Sequence, residues 1–539
     1  MHRSLALALA ASVLFLALSV LMLPYAGIQD DEVLFTTPLY LHIGKEFLVR
    51  ILHRDVFLMV TSYIGALKTM LLAPVFSRLG TNPWTLRLPV ALLGALTVFV
   101  FYFLAAGIAG RWAALLGAFL LATDPIFLLT NTFDWGPVAL EHVLLVTGTW
   151  SLFRWARAAG AEANAKVDGK HLTLGFLCLG LALWNKAIFL WALSGLTVGA
   201  LTVFPTEVRR LTTRRHLRIG AAAFLLGALP LIVYNVRHRN ATLRDNAHLD
   251  LRGAVPKLVQ LELALNGSSL FGYMVSEEWM PQPKPAASPA GRASAWLREH
   301  LGARRWTGFA YVLGLLIAAV PLWWRSRAAR FSLVFVAVAW LAMAVTRDAG
   351  GSAHHVILLW PFPLLFAAIA LARLAEFRAG KWPAAAVGVA LVAMNLAVLN
   401  QYLVQFARNG PAETFTDAID PLSDRVTVFA GRPIYVIDWG MVNVLEFLHQ
   451  GRVDLSMASE PLMTDAPPEP QQKALRAMIA NPAAVFLGRV AGQEMFPLVN
   501  ERLDRAAQSY GFRKEVIQSI ADSNGRPRFE IFRFLPEGR

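Results

Sequence analysis

Three consecutive carboxylates, Asp30, Asp31 and Glu32, follow a run of some twenty apolar residues. A second acidic corner lies in "NTFDWGPVALEHV", with Asp134 and then Glu141 and His142. If Pro137 opens a helix, Glu141 falls below Asp134 on the same face, seven residues on. Two separated acidic corners can orient a nucleophile and bind a cation or a developing positive charge. Basic and neutral partners occur in "LALWNKAIFLW" (Asn185, Lys186) and "RDAGGSAHHVILLWPFPLL" (Arg347, His354, His355). Cations opposite a cluster of acids suit an anionic lipid phosphate. Each residue also has a plainer reading. Asp134 can cap a helix, Asp124 before Pro125 can be structural, a lysine at a helix end can snorkel, and paired histidines are more often hydrogen-bonded scaffolding than metal ligands.

These residues need elements to hold them, and the composition says which kind. Of 539 residues, 56% are hydrophobic and 16% charged, with a mean hydropathy of +0.49. A soluble domain carries nearer a quarter charged residues. The chain therefore reads as a polytopic α-helical membrane protein. Apolar stretches near twenty residues long lie at 4–24, 88–109, 112–130, 137–153, 171–185, 187–204, 217–235, 307–324, 331–346, 355–374 and 383–403, about eleven transmembrane helices. The first reads as an uncleaved span rather than a signal peptide. The single cysteine, Cys178, excludes an internal disulfide or a cysteine metal site.

Charge sets the orientation. The net charge of +14 is concentrated in loops such as "PTEVRRLTTRRHLR", "FRWARAAGAEANAKVDGK", "WWRSRAAR" and "RLAEFRAGKW". A cytoplasmic N-terminus puts all four on the cytoplasmic side. The basic excess is then a topology signal in a plasma (inner) membrane, not a nucleic-acid surface. Counting 58–77 as a span would reverse every later loop and put Lys68 near bilayer centre. That stretch, and 33–50, are instead expected as amphipathic surface helices in the first outer loop. The outer face then holds 25–87, 130–137, 236–306 and everything after 404. Residues 1–404 form the transmembrane domain. Residues 414–539 read as a small external (periplasmic) α/β domain, with strand-like "PIYVIDWG", "AAVFLG" and "RFEIFRF". The tripeptide "DWG" recurs there at Asp438–Gly440, where Asp438 or Trp439 could shape a groove if the domain folds over the site.

In this order the features resemble the dolichyl-phosphate-mannose protein mannosyltransferase and aminoarabinose lipid A transferase families, within the C-type glycosyltransferase (GT-C) fold. "W-x-L-R-L-P", "G-R-W-A-A-L-L", the acid-bearing turn before the fourth span, the "NKA" turn, "HHVILLWPFPLL" and the "DDE" run carry the likeness over about residues 1–400. The resemblance implies a polyprenyl-phosphate-linked sugar donor, a protein, glycolipid or glycan acceptor, membrane lipid as surroundings, and transfer at the outer face. It implies Asp31 as the base, with Asp30 as its competitor and Glu32 alongside. Asp134 takes the second acidic position, and Lys186, Arg347, His354 and His355 face the lipid phosphate. Glu141, His142, Asn185, Tyr63 and Lys68 complete the expected substrate contacts. The likeness departs at "FLMVTSY", ending at Tyr63, where a glutamate that helps bind metal in some relatives is absent. That argues against a divalent cation, and no other cofactor is called for. The rival reading is a secondary transporter or lipid flippase, but no internal repeat is visible and the polar residues lie off the midplane.

Overall fold

The computed structural model describes residues 2–41, 44–161, 169–211, 213–280, 282–347 and 349–538. The basic loop after the fourth apolar stretch lies partly outside them. Each of the eleven apolar stretches falls on a helix or helix pair. Among the described residues, five helices are long and apolar enough to cross a membrane: Ser4–Tyr25, Pro83–Ala109, Arg214–Arg237, Arg327–Ala344 and Lys381–Asn409. The count reaches seven if each bent pair is one span, Ala187–Val203 with Pro205–Leu211 (109°) and Ala353–Leu359 with Phe362–Leu374 (43°). Two further apolar helices among the described residues are shorter, Arg111–Thr123 and Phe309–Ala318. Arg111–Thr123 stops at Asp124, which caps a new helix, Pro125–Thr130, by accepting from the Phe127 N–H at 2.8 Å. Proline ends one helix here and opens the next because it lacks an N–H and fixes φ.

Pro83–Ala109 shows how sequence sets a boundary. Asn82 Oδ1 accepts from the N–H groups of Trp84 and Thr85, and Thr85 Oγ1 accepts from the Asn82 N–H. This reciprocal cap, with proline at the first position, fixes the helix start. Gly110, at φ 85°, ends it. The helix carries Arg87 into the bundle, where it is 1% exposed.

The first long loop differs from expectation. Asp30–Val33 and Thr37–Tyr40 are short helical turns, but Leu48–Ile51 (β1) and Arg54–Phe57 (β2) form an antiparallel hairpin, not a surface helix. Valine and isoleucine favour the pleated strand, and Leu52 and His53 turn it with φ of 47° and 64°. In the second stretch only Leu67–Leu79 is helical. Its Leu72 and Phe76 are buried against the C-terminal region, so it is clamped between layers rather than lying free on a membrane.

The C-terminal region is a five-stranded mixed sheet. Its strands are β3 (Ile434–Val436), β4 (Leu455–Met457), β5 (Val485–Arg489), β6 (Phe512–Ala521) and β7 (Pro527–Pro536), ordered β4-β3-β5-β7-β6. β3 pairs parallel with β4 and β5, while β7 pairs antiparallel with β5 and β6. Alternate residues face opposite layers. Ile434, Val436, Val485, Leu487, Phe529 and Ile531 share one core with Ile28, Val33, Phe35 and Phe76 of the first loop. Phe486, Phe532 and Phe534 pack under helices Glu469–Ala480 and Val499–Ser509. The sheet is thus seated on the loop that carries the three acids.

Candidate active site

A four-residue helix, Asp30–Val33, presents the acids. Gln29 Oε1 accepts from the Glu32 N–H at 3.0 Å, and Glu32 Oε2 accepts in return from the Gln29 N–H at 3.4 Å. Just before it, Gly27 lies against the C-terminal region, where any Cβ would collide with the Thr416 carbonyl. One helical turn spreads successive side chains by about 100°, so the acids point to different partners. Glu32 is held by Arg87, Nε to Oε1 at 2.6 Å and Nη2 to Oε2 at 2.9 Å, with both side chains buried. The same guanidinium donates to the carbonyls of Leu23, Ala26 and Gly27, fixing the loop to the bundle. Asp30 turns to the sheet domain, where Asn443 Nδ2 donates to its Oδ2 at 2.9 Å. Burial, and then the charge of Asp31, push its carboxyl up to about 7. Asp31 keeps only a long bond from Gln29 Nε2, at 3.4 Å. Burial raises its carboxyl above the ordinary value, while the Gln29 bond and the Lys186 charge oppose the rise.

The second corner is a closed network. Asp134 Oδ1 accepts from the N–H groups of Val138 and Ala139, at 2.8 and 3.3 Å. It therefore caps the helix Val138–Ala161. Its Oδ2 takes an ion pair from Lys68 Nζ at 2.8 Å, both groups buried. Lys68 also lies 4.1 Å over the Phe35 ring. Glu141 accepts from Asn185 Nδ2 at 3.1 Å through one oxygen, and the other finds no partner among the described residues. Asn185 also ties to the Pro137 carbonyl at 2.8 Å. His142 is fixed at both ring nitrogens, to Asn131 Oδ1 at 3.1 Å and the Ile357 carbonyl at 2.8 Å.

Between the corners stands Lys186, 1% exposed. Its ammonium interacts electrostatically with Glu141, Asp134 and Asp31, and no hydrogen bond or ion pair engages it among the described residues. Gly136, at φ 112°, gives it room: a Cβ there would lie 3.0 Å from Nζ. The Lys186 backbone is stitched to Ile64, and the Ala187 N–H donates to the Tyr63 carbonyl at 2.8 Å. The Tyr63 phenol is raised by burial and by Asp31. The His354 and His355 rings lie 4.2 Å apart, tilted by 54°. Trp135 Nε1 donates to His354 Nδ1 at 2.8 Å, leaving Nε2 as the protonated nitrogen.

The structure therefore gathers Asp30, Asp31, Tyr63, Lys68, Asp134, Glu141, Asn185, Lys186, His354 and His355 at one end of the bundle. Arg347 stands apart, with an exposed side chain and its N–H bonded to the His248 carbonyl. Two contributors escape a linear reading. Tyr273, on the loop after Ala254–Leu265, packs 5.8 Å from both Trp135 and Phe415, and burial together with Asp31 pushes its phenol up to about 12. Asn443 comes from the sheet domain. Asp438, the repeat of "DWG", is fully enclosed, accepting from the N–H groups of Met495 and Phe496. A divalent cation does not fit the donors here: two lysine ammoniums, Lys68 and Lys186, stand among Asp31, Asp134 and Glu141.

Residues 31–240 match the family model of dolichyl-phosphate-mannose-protein mannosyltransferases. Across the full length the fold is similar to ArnT from Cupriavidus metallidurans in the apo state. That match has a TM-score of 0.57 and 14% identity, covering 97% of this chain and 96% of that one. The same protein bound to undecaprenyl phosphate gives 0.55 at 13%, with the same coverage. The Archaeoglobus fulgidus oligosaccharyltransferase gives 0.52 at 12%, over 95% of this chain and 69% of that one. No curated relative matches the sequence. Residues 31–240 are thus similar to the mannosyltransferase family, and over almost its whole length the chain shares the fold of ArnT and of the archaeal oligosaccharyltransferase.

Proposed function

We propose that the chain transfers a sugar from a polyprenyl-phosphate donor to an acceptor hydroxyl at the end of the bundle that carries Asp31. The observation that carries this reading is the unpaired, enclosed Lys186 ammonium beside Asp31, the acid whose neighbours are both committed to partners. The acceptor oxygen attacks the anomeric carbon from the face opposite the lipid phosphate. Its proton passes to Asp31, the carbon–oxygen bond to phosphate breaks, and the electron pair leaves with the phosphate. The product is inverted at that carbon. Lys186 and the His354 Nε2–H meet the charge that builds on the leaving oxygens. Asp30, Glu32 and Asp134 hold the geometry. The undecaprenyl phosphate seen on ArnT and the acceptor peptide tethered to the archaeal oligosaccharyltransferase support a lipid-phosphate donor and a peptide acceptor. The basic loops at the opposite end support a cytoplasmic N-terminus and an external site.

Two variants separate the roles. Lys186→Gln should raise KM for the donor. Asp31→Asn should leave KM nearly unchanged and lower kcat by about 10³-fold, within the range for a lost general base. Full activity of Asp31→Asn would remove the assignment.

A further inference from the structure

We propose that the basic end of the bundle, opposite the active site, holds one anionic phospholipid. A cavity of about 590 Å³ opens there between the helices. Helix Val138–Ala161 carries Glu141 near one end and Trp155 near the other, so this cavity and the Asp31 site are separate. Its depth is apolar, walled by Leu104, Leu179, Leu196 and Phe362. Phe362 and Arg373, both lining it, lie on the single helix Phe362–Leu374. At ~1.5 Å per residue they are about 16 Å apart, close to half of a ~30 Å hydrocarbon core. The cavity is one leaflet deep, which suits an acyl chain.

Its mouth is charged for a phosphate. Arg157, Arg325, Arg327 and Arg373 stand there against one lining carboxylate, Glu207. Glu207 is taken by Arg327, at 3.0 and 2.7 Å, and Arg373 pairs with Glu376 at 3.1 Å. Arg157 makes only a 3.4 Å bond to the Gly107 carbonyl. No ion pair or hydrogen bond engages Arg325 among the described residues. Trp155, 2% exposed, lines the cavity with an indole N–H that has no acceptor there. A buried indole donor without an acceptor, two guanidiniums without a carboxylate partner among the described residues, and a leaflet-deep apolar slot fit a phosphate-headed diacyl lipid. The bent helix Pro205–Leu211, turned 109° from its predecessor, supplies Glu207 at the rim. The proposal rests on the cavity alone and stands independently of the glycosyl-transfer chemistry.

Native mass spectrometry of the full chain in detergent tests it. The probes are phosphatidylglycerol, phosphatidylcholine, undecaprenyl phosphate and glycerol 3-phosphate. One phosphatidylglycerol should be retained in preference to phosphatidylcholine. Arg325→Ala, an exposed change that keeps the fold, should cut that preference roughly five-fold, as expected for one arginine at a lipid surface. Leu196→Trp should fill the slot and lose the adduct, and glycerol 3-phosphate should not compete. Equal retention of phosphatidylcholine would overturn the proposal. So would displacement by undecaprenyl phosphate, competition by glycerol 3-phosphate, or an adduct that survives Leu196→Trp.

Discussion

Within one helical turn Asp30, Asp31 and Glu32 leave the backbone in three directions, and their partners decide their work. Arg87 is 55 residues from Glu32, and Asn443 is 413 from Asp30. No reading of a local window could rank the three acids for this reason, although it could find the cluster. Removing one member of the buried Arg87–Glu32 pair should be costly, since it strands the other charge. Glu32→Gln is expected to lose about 3–5 kcal/mol of stability, read by thermal or denaturant unfolding. Asp30 behaves differently. Its folded carboxyl sits at about 7 against 3.8 unfolded, so folding favours the protonated form. Its contribution is complete below 3.8 and is lost as pH rises through about 7. The melting temperature of the wild type should therefore fall more between pH 5 and pH 8 than that of Asp30→Asn. Asp31, also raised, must be ionised to accept a proton. The acid limb of kcat should stand above the ordinary carboxylate range, and a limb near pH 4 would contradict this role.

At the scale of elements, hydrophobic patterning found the helices well and their interruptions poorly. The stretch expected as 112–130 divides at Asp124–Pro125, and that at 307–324 yields the ten-residue helix Phe309–Ala318. Composition reports burial, and these breaks are set by caps and prolines acting with packing. The hairpin at 48–57 was hidden because its residues alternate for too short a distance to separate strand from helix. The clamp on Leu67–Leu79 depended on a domain more than 350 residues away in sequence, through Phe76 and Phe447 at 5.3 Å. Phe447→Ala should lose about 3–5 kcal/mol and, by loosening the loop, lower transfer as well. Activity that stays intact despite the destabilisation would show that the seat of the sheet domain does not position the acids.

For the whole molecule, the composition established the membrane class, while contact between its two ends of sequence was not legible. The fully paired Asp438 is an example: its repeat of the membrane-turn tripeptide carries no shared role, because it braces the sheet domain internally. The orientation proposed from the basic loops can be checked directly, since the sole cysteine, Cys178, is buried. Ser523→Cys should label in intact cells with a membrane-impermeant maleimide, and Ala379→Cys only after permeabilisation. The reverse pattern would invert the topology and the side on which transfer occurs. The most direct test of the central claim is mass spectrometry of polyprenyl-linked sugars in a deletion strain carrying either wild-type protein or Asp31→Asn at equal membrane abundance. The account predicts that Asp31→Asn leaves the donor lipid accumulated as in the deletion strain while the wild type consumes it. Consumption of the donor by both proteins alike would contradict it.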